Sequence, residues 1–127
     1  MSRLVAIAAL TAATALLAAC QETVQAPLDK GICYAIGTGP KGEIKFNVVA
    51  RNVPNIENCA AQLEGVRLRF LRMGGQTREI SGAYQGNFIH LRSEGIFRSQ
   101  RWEGNQYLMV VRSGDGRLVI PGAVQSE

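Results

Sequence analysis

The chain reads as a small α+β domain, one helix packed on an antiparallel β-meander, and three observations predict this. A single stretch, from Asn55 to Met73, repeats apolar residues at spacings of three and four. After Gly75 the texture changes to short apolar runs broken by glycine, asparagine and serine, as in antiparallel strands joined by turns. A length of 127 residues with a hydrophobic fraction of 46% suits one packed core, which excludes a multidomain enzyme and wholesale disorder.

The elements follow in chain order. Ile32 to Ile36 is a short apolar strand, Gly37 to Gly42 a turn-rich loop, and Ile44 to Ala50 an alternating and then β-branched strand. Asn55, after Pro54, caps the helix, and Gly74-Gly75 stops it. Ile56, Cys59, Ala60, Leu63, Val66 and Phe70 form its apolar stripe. A competing reading splits the segment at Gly65, because Val66, Leu68 and Phe70 alternate with Arg67, Arg69 and Leu71 as a half-buried strand would. The meander takes Glu79 to Tyr84, Phe88 to Arg92, Ile96 to Gln100, Tyr107 to Arg112 and Leu118 to Ile120. Ser113-Gly114-Asp115-Gly116 is its clearest hairpin turn. No repeat or heptad pattern is present, which excludes solenoids and coiled coils.

The start of the chain has a different character. Met1-Ser2-Arg3 is short and basic, and Leu4 to Ala19 is apolar apart from Thr11 and Thr14. This is the pattern of an export signal, shorter than a spanning helix and ending in small residues. The tetrapeptide Leu17-Ala18-Ala19-Cys20 resembles the lipobox of bacterial lipoproteins. The resemblance implies cleavage before Cys20, diacylation of its thiol and a membrane anchor. Two or three acyl chains hold where one binds only marginally. An ordinary secretory signal, with Cys20 left as a free thiol, is the alternative. The expected organisation is a signal peptide over 1–19, a lipidated tether over 20–30 and an α+β envelope domain over 31–127. In lipoproteins of the enteric type, aspartate after the lipidated cysteine marks retention in the inner membrane. Gln21 stands there instead, so the resemblance implies the periplasmic face of the outer membrane.

Cys33 and Cys59 remain, an even pair in a compartment where disulfides persist, and they are expected to bond and tie the first strand to the helix. A zinc site lacks ligands, since the chain has one histidine and no CxxC pair. The acids are scattered, without the close pairs that hydrolases use or the D-x-D runs of calcium loops. Gly37 to Gly42 lacks the G-K-[ST] of a phosphate-cradling loop. Neither a metal nor a cofactor is therefore expected.

From Cys20 onward there are ten arginines against three lysines. Arg67, Arg69 and Arg72 cluster within the helix, while Arg92, Arg98 and Arg101 gather around Trp102. The second group is the candidate patch for an anionic ligand, through guanidinium forks and aromatic stacking. A solvated surface neutralised by glutamates such as Glu64, Glu79 and Glu103 is the plainer reading. Export argues against nucleic acid despite a net charge of +4. The expected partners are the membrane, through the anchor, and an anionic envelope component or an envelope protein. The expected function is a non-enzymatic binding or scaffolding module. The alternative is a small periplasmic hydrolase using His90 with partners distant in sequence.

Overall fold

The computed structural model describes residues 24–75 and 79–121. The export segment 1–19 and Cys20 lie outside the described residues. The strands are β1 (Cys33–Thr38), β2 (Ile44–Ala50), β3 (Ile80–Tyr84), β4 (Asn87–Leu91), β5 (Ile96–Ser99), β6 (Tyr107–Arg112) and β7 (Leu118–Val119), with α1 (Ile56–Arg72) between β2 and β3. They form a sheet of order β2-β1-β3-β4-β5-β6-β7, in which every neighbouring pair is antiparallel. The protein is a small single α+β domain.

The helix is continuous, and its ends are made by the residues that signal them. Asn55 Oδ1 accepts the Asn58 amide at 2.8 Å, Glu57 stands in the first turn, and Arg69 and Arg72 stand in the last, each complementing the helix dipole. At the other end Gly74 (φ 93°) donates to the Leu71 carbonyl and Gly75 to that of Phe70, a Schellman closure that needs a left-handed residue. The stripe differs from expectation at both polar and apolar positions. Cys59, Ala60 and Leu63 are buried as expected, but Glu64 is buried beside them and Phe70 is 45% exposed. β1 also runs two residues beyond the expected strand, because Gly37 and Thr38 pair with Lys45 and Ile44 and shorten the loop to the turn closed by Gly39 and Glu43.

One face of the sheet packs against α1 through Cys33, Tyr84, Ile89, Leu91, Ile96 and Val110. Two features hold the helix there. The Cys33–Cys59 disulfide is formed, with Cα atoms 5.3 Å apart. Gly82 lies beneath Leu63, where a Cβ would collide with the Leu63 side chain and sit 2.5 Å from the Tyr34 carbonyl oxygen. The opposite face carries a second cluster of Ala26, Tyr34, Ala83 and Phe88, edged by Val24, Ile36, Phe46 and Trp102. The stretch expected as a tether thus lies, from Val24 to Asp29, along this face. The Pro27 carbonyl accepts the Gly86 amide at 2.8 Å, and Tyr34 Oη donates to Asp29 at 2.7 Å.

Gly82→Ala is expected to lower the unfolding free energy by about 1–3 kcal/mol, since a backbone carbonyl cannot rotate away as a side chain does. Replacing Cys33 and Cys59 together by serine should cost about 3.5 kcal/mol, the loop entropy restored to the unfolded chain. Urea unfolding of the two variants beside the wild type measures both, and an unchanged midpoint for Gly82→Ala would show that the helix does not need the close approach.

Candidate functional site

The β1–β3 ladder begins at Cys33↔Tyr84 and ends at Ala35↔Gly82. Continued in register it would join Ile36 to Ser81, Gly37 to Ile80 and Thr38 to Glu79. Those pairs are missing, and a cleft of about 510 Å³ opens in their place. Ile36 and Thr38 line one side and Glu79 and Ser81 the other, with His90, Arg92 and Trp102 along the adjoining wall. An aromatic row leads to it across the sheet: Tyr34 meets Phe46 edge-on, Phe46 faces Phe88, and Trp102 stands 5.3 Å from Phe88 and 5.7 Å from His90 by ring centroids.

His90 is positioned by two tight turns. Gln85 and Gly86, both at positive φ, make the two-residue β3–β4 turn, and the register then sets Ser81 opposite His90. Arg92 and Gly95 exchange both backbone hydrogen bonds around Ser93-Glu94, and this second turn sets Phe88 opposite Ser99. Three strands thereby bring Ser81, His90 and Ser99 together. His90 Nε2 lies 2.9 Å from Ser99 Oγ, and His90 Nδ1 lies 3.5 Å from Ser81 Oγ. Ser99 spends its one hydroxyl proton on the Arg101 carbonyl at 2.7 Å, so it can only accept from the imidazole. His90 is therefore the Nε2–H tautomer, with the bare Nδ1 turned toward Ser81. Burial first, and the charge of Arg92 second, hold its pKa below the usual 6.5, which keeps the ring neutral.

No family model, curated protein or solved structure matches the chain.

The expected arginine patch is divided by the sheet. Arg92 lines the cleft, its guanidinium 5.5 Å from the Phe97 ring centroid, and Trp102 lies beside it, half-buried. Arg98 pairs with Ile89, which faces the helix, so the register puts Arg98 on the other side of the sheet. Arg101 is exposed in the loop after β5, where its carbonyl anchors Ser99. The structure thus joins Arg92 and Trp102 to Ser81, Ser99 and Glu79, not to Arg98. Ser81 and Ser99 escape a reading of local pattern because their partner lies across a strand. The signal was the Gln85-Gly86 turn, from which counting outward pairs position 81 with 90.

A second polar cluster sits on the helix side. The Glu64 carboxylate receives two hydrogen bonds from Arg67 and two from Arg112, all between 2.8 and 2.9 Å. Arg112 also donates to the Arg92 carbonyl at 2.6 Å, linking α1, β6 and the β4–β5 turn. Glu64 is 9% exposed. Burial pushes its pKa up, but the hydrogen bonds and charges of the two arginines outweigh burial and hold it at about 2, from 4.5. Arg67 is thus committed to structure and not to a ligand.

A folded-state pKa below the unfolded value means that this contribution is fully present above pH 4.5 and is lost as the pH falls toward 2. Wild-type stability should decline over that window, while Glu64→Gln should start about 3 kcal/mol lower and decline less steeply, having left two guanidinium groups without their anion. Urea midpoints at several pH values between 2 and 6 would measure this, and parallel curves for both proteins would refute it.

Proposed function

We propose that this protein is a bacterial cell-envelope lipoprotein, held at a membrane by acyl chains on Cys20, whose cleft binds the anionic group of an envelope component. The lipobox-like Leu17-Ala18-Ala19-Cys20 supports the anchor, and a disulfide fits an oxidising compartment. The observation that carries the binding reading is that Val24, four residues after Cys20, packs on the face of the sheet that carries the cleft. Val24 packs in the cluster that includes Trp102, and the four residues back to Cys20 reach at most about 14 Å. The cleft is thereby kept near the surface to which the lipid ties the chain.

Arg92 supplies the recognition. Among the described residues no carboxylate lies within ion-pair distance of it, unlike Arg67, Arg112 and Arg117. A guanidinium backed by the Phe97 ring presents its donors as a fork to a phosphate or carboxylate, and Trp102 gives the ligand an aromatic wall. Glu79, the acid at the cleft, tempers the charge and selects against anions too bulky to avoid it.

Intact-mass spectrometry of membrane-extracted protein should find a chain beginning at Cys20 with added acyl mass, and Cys20→Ser should release the protein from the membrane fraction. An unmodified Cys20 would remove the anchor. For the cleft, the Cys20→Ser protein should bind phosphatidylglycerol vesicles or peptidoglycan at low salt and less so as screening shortens to about 8 Å. Arg92→Ala should weaken binding several-fold and Glu79→Gln should strengthen it. Retention independent of both substitutions would reject the cleft as the site.

A further inference from the structure

We propose that Ser81 is a nucleophile activated by His90, and that the cleft hydrolyses an acyl ester bearing an anionic group. The choice of ester rests on the anion-binding reading of Arg92; the nucleophile does not.

The parts converge from separate strands. Ser81 lines the cleft, with Oγ 3.5 Å from the Nδ1 of His90. An imidazole can take a proton at Nδ1 only if Nε2 already carries one, and the Ser99 hydroxyl, committed to the Arg101 carbonyl, enforces that tautomer. Ser99 is a positioning residue here, doing with an oriented hydroxyl what a third group does in other nucleophile–base pairs. The backbone supplies an oxyanion donor. The two-residue turn makes Tyr84 and Asn87 the closing hydrogen-bonded pair, so alternation turns the Ser81 N–H away from β4 and toward β1. On that side the ladder has ended at Ala35↔Gly82, and the pair with Ile36 that would occupy this N–H is missing. A nucleophile whose own amide is open to the cleft can stabilise negative charge on the carbonyl it attacks. Arg92 follows His90 by two residues on the same face, about 7 Å along the strand, which sets the distance between the scissile carbonyl and the anionic group.

In the first step Ser81 Oγ bonds to the ester carbonyl carbon and its proton passes to Nδ1 of His90. The carbon–oxygen bond to the alcohol breaks, and the alcohol leaves with that proton. Water then attacks the acyl-serine, gives a proton to His90 and releases the acid, and Ser81 Oγ regains its hydrogen. The sum is ester plus water giving acid plus alcohol, with no co-reactant.

The full-length protein, extracted in detergent, would be treated with an alkyl fluorophosphonate probe, in which an Oγ–P bond forms as fluoride leaves. Labelling is expected, mapped to Ser81 by peptide mass spectrometry, absent in Ser81→Ala and slowed at least about a hundredfold in His90→Gln, the order that base assistance supplies. Circular dichroism shows which variants are folded. Because His90 is the only histidine, its imidazole 15N spectrum is unambiguous. It should show the Nε2–H tautomer in the wild type and a mixture in Ser99→Ala, with slower labelling in the latter. The ratio of p-nitrophenyl hemisuccinate to p-nitrophenyl acetate hydrolysis should fall in Arg92→Ala. No labelling of wild type, or labelling that survives Ser81→Ala, would overturn the nucleophile. Labelling of Ser81 with a hemisuccinate-to-acetate ratio in Arg92→Ala unchanged from the wild type would leave the nucleophile standing and remove the anionic substrate.

Discussion

A seven-stranded antiparallel sheet has two faces, and the described chain has one helix with which to cover them. That constraint governs the rest. On the covered face the helix comes close because Gly82 has no side chain to hold it off and because a disulfide joins the first strand to its second turn. On the other face Tyr34, Phe46, Phe88 and Trp102 cover each other in a row, and Val24 and Ala26 finish the cover from before β1. The row ends at His90, where the β1–β3 ladder parts, so the cleft opens at the end of the aromatic cover with Trp102 as its wall.

The helix face buries Glu64 and the opposite face His90, and each is tolerated for a different physical reason. Glu64 remains charged because two guanidinium forks surround its carboxylate, an arrangement that offsets desolvation only when all partners are present. His90 goes the other way and gives up its charge, satisfied by hydroxyls that carry none. The first solution is rigid and serves packing. The second leaves a basic nitrogen at the edge of a cleft, which is the form in which a buried histidine can still do chemistry.

Most of the fold was legible from local pattern. The helix appears with the cap and stop residues that announce it, the span of β6 is the one its apolar run predicts, and the Ser113–Gly116 turn joins β6 to β7. What local pattern misread was set by partners remote in sequence. Phe70 continues the apolar spacing, yet it ends 45% exposed, while Glu64 enters the core because Arg112 arrives from a strand 48 residues on. The arginine patch failed as a unit for the same reason. Arg92 and Arg98 are close in sequence, but the β4–β5 register puts them on opposite faces.

The site is a product of register more than of composition. Serine is common and a lone histidine says little, so neither draws notice until two tight turns fix which residues face each other. Once Gln85-Gly86 and Ser93-Glu94 are placed, Ser81 must oppose His90, and Ser99 must fall diagonally beside it. The same two turns fix the parity of the backbone hydrogen bonds, and with it the direction of the Ser81 amide. The convergence of hydroxyl, imidazole and open N–H therefore follows from two hairpins and one interrupted ladder, each of which also has a purely structural role. A protein of this size can assemble such a set without a sequence motif, because antiparallel pairing brings residues from three strands into contact within fewer than twenty positions of the chain.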